Sequence, residues 1–187
     1  MKTIDPIWTP AVQQQVFRHV LDAFAHPGTA FDLSGLSARL PAHLAVLATL
    51  LDRQTTLANP GKLLDPAYWP LLQAREAAAN DAGFVLADGN LPPSFEPCLG
   101  SLGSPEHGST LIVCVRKISD GPSLRLHGPG IAGSKTLHLD GLHPKWLEQR
   151  ALWTANFPLG VDMIFADHDC VVALPRTTQL TLTGEHA

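Results

Sequence analysis

Charge is what this chain of 187 residues has least of. Asp, Glu, Lys and Arg make up 16% of it, where an ordinary soluble domain carries about 25%. The 13 basic and 17 acidic residues leave a formal net charge of -4, and no basic block occurs. That excludes an electrostatic grip on nucleic acid, which needs clustered Lys and Arg. With 45% hydrophobic residues, so little charge also predicts a surface that a partner protein covers in part. Cysteine is scarce too. Cys98, Cys114 and Cys170 are odd in number, far apart and form no CxxC. This excludes a disulfide framework and predicts reduced thiols, with Cys114 and Cys170 buried in strands. No apolar run reaches the roughly 18 residues that would span a membrane. The longest, "LAVLATLL", reads as a buried helix. The start, "MKTIDPIWTP", lacks the apolar stretch of a signal peptide. These absences give the expectation of a cytoplasmic protein with no membrane contact.

Catalytic signatures are missing as well. There is no G-x-S-x-G elbow and no Walker loop; "GSPEHGST" lacks the G-K-[ST] that would hold phosphates. Lys2, Lys62, Lys117, Lys135 and Lys145 show no cofactor pattern. Nine histidines invite a search for a metal site. "HLDGLH" holds His138, Asp140 and His143, and "ADHDC" holds Asp167, His168, Asp169 and Cys170. Neither has the spacing of a zinc motif, and His138 with Asp140 would supply only two ligands from one strand face. The expectation is no metal and no cofactor.

What is present in quantity is turns, with 15 Gly and 16 Pro. Thr9-Pro10 predicts a helix start, with Thr9 as N-cap. Val12, Val16, Phe17, Val20, Leu21 and Phe24 then recur at helical spacing until Pro27 stops the ladder. Pro41 opens a second helix through Leu51, and a third is predicted from Pro66 to Ala79. Strands are predicted for "TAFDL", "TTLAN" and "GFVLAD". After a proline-rich loop over 90–108 comes "STLIVCVRKI", read as one long strand, then "SLRLHG" and "KTLHL". "HPKWLEQRALWTAN" is a helix, and "VDMIFA", "CVVAL" and "TQLTL" are closing strands. "DHD" turns the first of these into the second, through Asp side chains bonding their own backbone. Helices alternate with strands early and strands cluster late. The pattern predicts an α/β fold, a single domain over 1–187 with a mixed sheet flanked by helices.

"RLHGPGIAGS" carries Gly128, Gly130 and Gly133 in the order G-x-G-x-x-G. A dinucleotide turn needs a helix after the last glycine, with its N-terminus on the pyrophosphate. Here "SKTLHL" follows, which alternates like a strand, and Pro129 removes a backbone donor. Gly128 and Gly130 are therefore read as a structural turn, with Arg125 beside it as a candidate anion or partner contact. Further on, Pro158 and Gly160 form a turn that feeds a strand, and Asp162 lies in an otherwise apolar run. Pro175 ends the next strand, and Arg176 and Thr177 follow it. Asp162 and Arg176 read either as an ion pair within the chain or, with Thr177, as polar contacts to a ligand or partner.

Five segments resemble one family in order and spacing: "FRHVLDAFAHPG", "GSTLIVCV", "LRLHGPGI", "FPLGVDMIF" and "ALPRTT". The chain is similar to the H subunit of the bacterial carbon–phosphorus lyase machinery, the PhnH family, with only a loose match over 55–108. The resemblance implies a fold like that of pyridoxal-phosphate-dependent transferases without the cofactor or its lysine. It implies a homodimer that joins G, I and J subunits in a core complex. That complex makes ribose 1-methylphosphonate 5-triphosphate from ATP and an alkylphosphonate. It gives this subunit no catalytic residues, so the expected role is assembly rather than turnover alone. The competing expectation is a stand-alone small-molecule enzyme or anion-binding protein with a cleft near Arg125, Asp162 and Arg176.

Overall fold

The computed structural model describes residues 5–36 and 40–182. Helix α1 (Pro10–Ala25) buries Val16, Val20 and Ala23, one stripe at helical spacing. Thr9 takes the N-cap position, but its hydroxyl donates back to the Pro6 carbonyl at 2.7 Å and accepts nothing from the helix. Helix α2 (Ala42–Leu50) is buried on nearly every side, as its continuous apolar run demands.

Around these helices lies a mixed sheet of seven strands: β1 (Phe31–Asp32), β2 (Thr56–Ala58), β3 (Arg75–Glu76), β4 (Phe84–Asp88), β5 (Thr110–Cys114), β8 (Asp162–Ala166) and β9 (Cys170–Leu174). Their order is β1-β9-β8-β5-β4-β2-β3. From β8 to β3 the neighbours run parallel, while β9 and β1 close the other edge antiparallel. Side chains alternate between the two faces of a strand, and here both faces are buried. Leu86, Ile112, Ile164 and Ala173 pack with α1 and α2. Val85, Val113, Phe165 and Leu174 pack into a second core.

That second core is roofed by a three-stranded antiparallel sheet and one helix. The small sheet has the order β10-β6-β7, from β6 (Lys117–His127), β7 (Lys135–Asp140) and β10 (Gln179–Leu182). Helix α4 (Lys145–Trp153) buries Trp146, Arg150 and Trp153. The α/β class with a mixed sheet and flanking helices is thus observed. Among the described residues no helix is long and apolar enough to cross a membrane.

Two sequence expectations are corrected. The helix predicted from Pro66 to Ala79 is a 3₁₀ turn (Pro66–Tyr68) and a single helical turn, α3 (Trp69–Leu72). Gln73 then enters the left-handed region at φ 60. Arg75 and Ala77 donate their N–H groups to the carbonyls of Thr55 and Leu57, so the sheet edge captures the chain. The long strand predicted over "STLIVCVRKI" is split between two sheets. Val115 N–H donates to Ala166 in the large sheet and Arg116 N–H to Asp140 in the small one. The crossing lies between them, and Lys117 begins a new strand that absorbs "SLRLHG".

Candidate functional site

Helix α4 and strand β10 do not close on each other. Between them lies a cleft of about 680 Å³. One wall is Leu147 and Ala151 of α4, continued by Phe157; the other is Leu180 and Leu182 of β10. In an antiparallel pair, residues directly opposite share a face. Leu180 and Leu182 stand opposite Leu126 and Leu124, whose side chains are buried in the second core. Yet Leu180 is half-buried and Leu182 is 57% exposed, because β10 is the sheet's edge and faces the cleft.

The floor is polar. Arg150 lies four residues after Trp146 and three before Trp153, on the buried stripe of α4, and is 3% exposed. Among the described residues its guanidinium makes one hydrogen bond, from Nη2 to the Pro175 carbonyl at 2.7 Å. Its Nε–H is buried with no partner. Burial pushes its pKa down to about 10, against a smaller upward pull from Asp162, so it remains charged at neutral pH. Beside it Thr178 is 1% exposed, and its hydroxyl is also buried without a partner. Among the described residues no Asp or Glu lines this cleft.

Arg176 also lines the cleft but is engaged within the fold. Its Nη2 and Nε donate to Asp162 Oδ2 at 2.7 and 3.2 Å, and its backbone N–H donates to Oδ1 at 2.7 Å. Nη1 donates to the carbonyls of Pro105 and Pro158. The arginine therefore ties the start of β8 to two turns. Thr177, next along, is exposed at the rim.

Arg125 lies elsewhere. It is exposed on the outer face of the small sheet, paired in register with Thr136 and Thr181, and does not line the cleft. Gly128 and Gly130 join β6 to β7 at φ 141 and 81, and Gly133 follows at φ 76. Strands flank this turn on both sides, as the lack of a helical pattern predicts. Gly160, at φ 141, donates its N–H to Leu99 after a cis Phe157–Pro158 bond. The Pro175 carbonyl accepts from both Arg150 and Thr178 N–H.

The histidine-bearing motifs are used locally. Asp140 pairs with Arg116 at 2.9 Å, and His143 Nδ1 accepts from Lys145 N–H at 3.2 Å. Among the described residues no three His, Cys, Asp or Glu side chains converge as metal ligands. Cys114 and Cys170 lie in strands as expected but at strand ends, half-buried rather than buried; partial burial still pushes the Cys114 thiol up to about 12 and raises Cys170, so neither is a ready thiolate at neutral pH.

A family model described as "Bacterial phosphonate metabolism protein (PhnH)" matches residues 7–181. The chain belongs to the PhnH family. Among its relatives is the protein HtxG of Stutzerimonas stutzeri, described provisionally as a C-P lyase subunit. It is 42% identical over 181 residues, covering 96% of this chain and 91% of the relative. Another is the alpha-D-ribose 1-methylphosphonate 5-triphosphate synthase subunit PhnH of Rhizobium meliloti (strain 1021). It is 33% identical over 193 aligned positions, covering 94% and 92%. The cleft of this PhnH-family chain is built from segments that carried the resemblance, "FPLGVDMIF" and "ALPRTT", together with α4. Sequence reasoning missed Arg150 and Thr178. The available signal was an arginine in register with two tryptophans on the apolar stripe of a helix.

Proposed function

We propose that this PhnH-family chain is a subunit of a carbon–phosphorus lyase core complex in phosphonate catabolism. In that role it contributes to forming ribose 1-methylphosphonate 5-triphosphate from ATP and an alkylphosphonate. The observation that carries the reading is the family match over residues 7–181, joined by two relatives named as subunits and aligned over more than nine tenths of their length. The role is assembly rather than independent turnover. This is supported by Arg176 and Asp162 being engaged with each other and by the upward shift of the Cys114 thiol. The partners are G-, I- and J-type subunits and a second copy of this chain, in the cytoplasm. The low charge content and exposed Phe17, Leu21 and Leu152 support a surface made for partners. The layout of a pyridoxal-phosphate transferase without its cofactor belongs to the same reading; the run of parallel neighbours from β8 to β3 supports it.

The test is growth and capture together. A bacterium deleted for its own PhnH-type subunit, given this gene with its sibling genes, grows on methylphosphonate as sole phosphorus source. A tag on this chain captures the sibling subunits in fixed ratio, and light scattering of the isolated chain reports a dimer. Growth without the gene, or a chain that captures none of the siblings, overturns the reading.

A further inference from the structure

We propose that Asp120 is a site of spontaneous covalent modification: the backbone nitrogen of Gly121 captures its side-chain carboxyl, and the resulting succinimide opens to isoaspartate. The chain has three Asp-Gly pairs, at 88–89, 120–121 and 140–141. All three are reactive in an unfolded chain, because glycine leaves the attacking nitrogen unshielded by a Cβ. The fold sets them apart. Gly89 donates its N–H to the Cys114 carbonyl at 2.7 Å, and Asp88 Oδ1 accepts from the backbone and side-chain amides of Asn90 at 2.9 Å. Both Asp140 oxygens lie 2.9 Å from Arg116 Nη1. At the third pair the two reacting groups hold each other. Gly121 N–H donates to Asp120 Oδ1 at 2.7 Å, and among the described residues neither group has a second partner.

Strand β6 carries this pair out of the small sheet. Ile118 stands opposite Leu139 and Ser123 opposite His138, so residues 119–122 loop out between two adjacent partners on β7. All four are exposed. Gly121, at φ 84, backs onto β7, where a Cβ would stand 2.7 Å from Asp140 Cα. The nitrogen is thus held in place while the exposed carboxyl turns onto it, and fixed proximity of this kind lowers the barrier to ring closure. The reaction needs only water and a proton from solvent. The Gly121 nitrogen bonds to Asp120 Cγ and loses its proton; one carboxylate oxygen leaves as water, carrying that proton and the one from solvent. Water then adds to either ring carbonyl. At Cγ it breaks the new bond and restores aspartate. At the main-chain carbonyl of Asp120 it breaks the original peptide bond, and the chain now runs through Cβ and Cγ. The extra backbone atom falls inside the excursion, so the pairing of Ile118 and Ser123 with β7 survives. His138 Nδ1, 3.1 Å from the Gly121 carbonyl, lies beside the changed segment and reports on it.

The experiment is incubation of the folded full chain in warm neutral buffer beside the same chain unfolded in guanidinium chloride. Trypsin then separates the three pairs into peptides 76–116, 118–125 and 136–145. Isoaspartate is read by methyl transfer from labelled S-adenosylmethionine with a protein-isoaspartate methyltransferase, and by chromatography that resolves the isomers at equal mass. In the unfolded chain the three pairs react at similar rates. In the folded chain isoaspartate accumulates in 118–125 at least about tenfold faster than in the other two, because Gly89 and Asp140 must first release a hydrogen bond or an ion pair. The His138 ring resonances change in step with the label. Asp120→Glu keeps the charge but would need a six-membered ring, and it removes the signal. No isoaspartate in 118–125 of the folded chain, over a time in which the unfolded chain forms it, overturns the proposal. So do equal rates for the three peptides in the folded chain, or a signal that persists in Asp120→Glu. None of these readouts involves a sibling subunit, so their failure leaves the complex reading standing, and failed growth or capture leaves Asp120 untouched.

Discussion

Arg176 sits 14% exposed against an Asp162 that is 23% exposed, so its pairing is shielded but not dry. Arg176→Ala strips both side-chain donors from Asp162 Oδ2 and the donor from the Pro158 carbonyl, while the backbone N–H of residue 176 still serves Oδ1 and Gly108 N–H still serves the Pro105 carbonyl. The expected loss is about 3 kcal/mol, the low end for breaking a buried pair on one side. In a chain of this length that lowers the melting temperature by roughly 6–12 °C. Differential scanning calorimetry reads the loss, and a pull-down of the folded variant reads partner contact separately. Retained stability with lost assembly would assign the arginine to a partner instead. Gly130 makes a similar case from backbone geometry. At φ 81, a Cβ there would stand 2.6 Å from the Ala25 carbonyl at the end of α1. Gly130→Ala therefore combines left-handed strain with a backbone clash, and costs about 2 kcal/mol or more. A urea midpoint within error of the wild type would show that the turn relaxes freely. The glycine spacing was legible as a turn, because "SKTLHL" cannot open a helix. What it packs against was not, because α1 lies about a hundred residues earlier in sequence.

At the scale of elements, the β8–β9 hairpin is held by Asp167, and His43 of α2 packs beside it. Burial alone would raise the Asp167 pKa. The N–H groups of Ile118, Cys170 and Asp169, with the Lys117 ammonium, instead hold it below the usual carboxylate range. His43 is shifted the other way for a cation: burial, with the His168 charge adding, pushes its pKa down to about 4 from 6.5. Both shifts make stability fall on acidification, in separate windows. Between pH 6.5 and about 4 the unfolded chain protonates His43 while the folded chain does not. Below the ordinary carboxylate value of 3.8, the unfolded chain protonates Asp167 first. The first window carries on the order of 2–3 kcal/mol. Urea unfolding at pH 7.5 and 4.5 measures it, and His43→Gln should remove most of the difference. An undiminished pH dependence in that variant would assign the effect to other groups. The Asx-type turn was legible in "DHD", since short acids bond their own backbone. Its grip on Ile118 across the two sheets was not. For the same reason "STLIVCVRKI" read as one strand: β-propensity is continuous across Val115 and Arg116, and only tertiary pairing divides it. The segment 66–79 failed in the opposite sense. Its helical pattern is real for one turn, and the edge of β2 outcompetes it.

For the molecule as a whole, the deciding feature is that one seven-stranded sheet serves two cores. Leu111 and Ile112, adjacent in β5, belong to opposite ones. Neither the helical layer nor the small-sheet layer can keep its core if the central strands separate. The chain is thus expected to behave as one cooperative domain, although its strands divide into two sheets and its apolar residues into two clusters. The tryptophans report on the two sides. Trp8 and Trp69 pack against the α1–α2 core, while Trp146 and Trp153 lie in the other. Ring contacts among Phe95, Trp146 and Trp153, with centroids 6.0–6.2 Å apart, tie the 90–108 loop to α4 within that second side. Tryptophan emission therefore samples both layers, whereas far-ultraviolet circular dichroism follows the backbone throughout. In a two-state transition the normalised curves from both probes superpose at one urea midpoint. Replacing Trp8 and Trp69 by Phe leaves emission from the second core alone, and its midpoint should still coincide with the dichroism of the same variant. If that core instead melts at a clearly lower urea concentration than the backbone signal, the small sheet and α4 form a separate unit. The cleft would then lie within the less stable part of the chain.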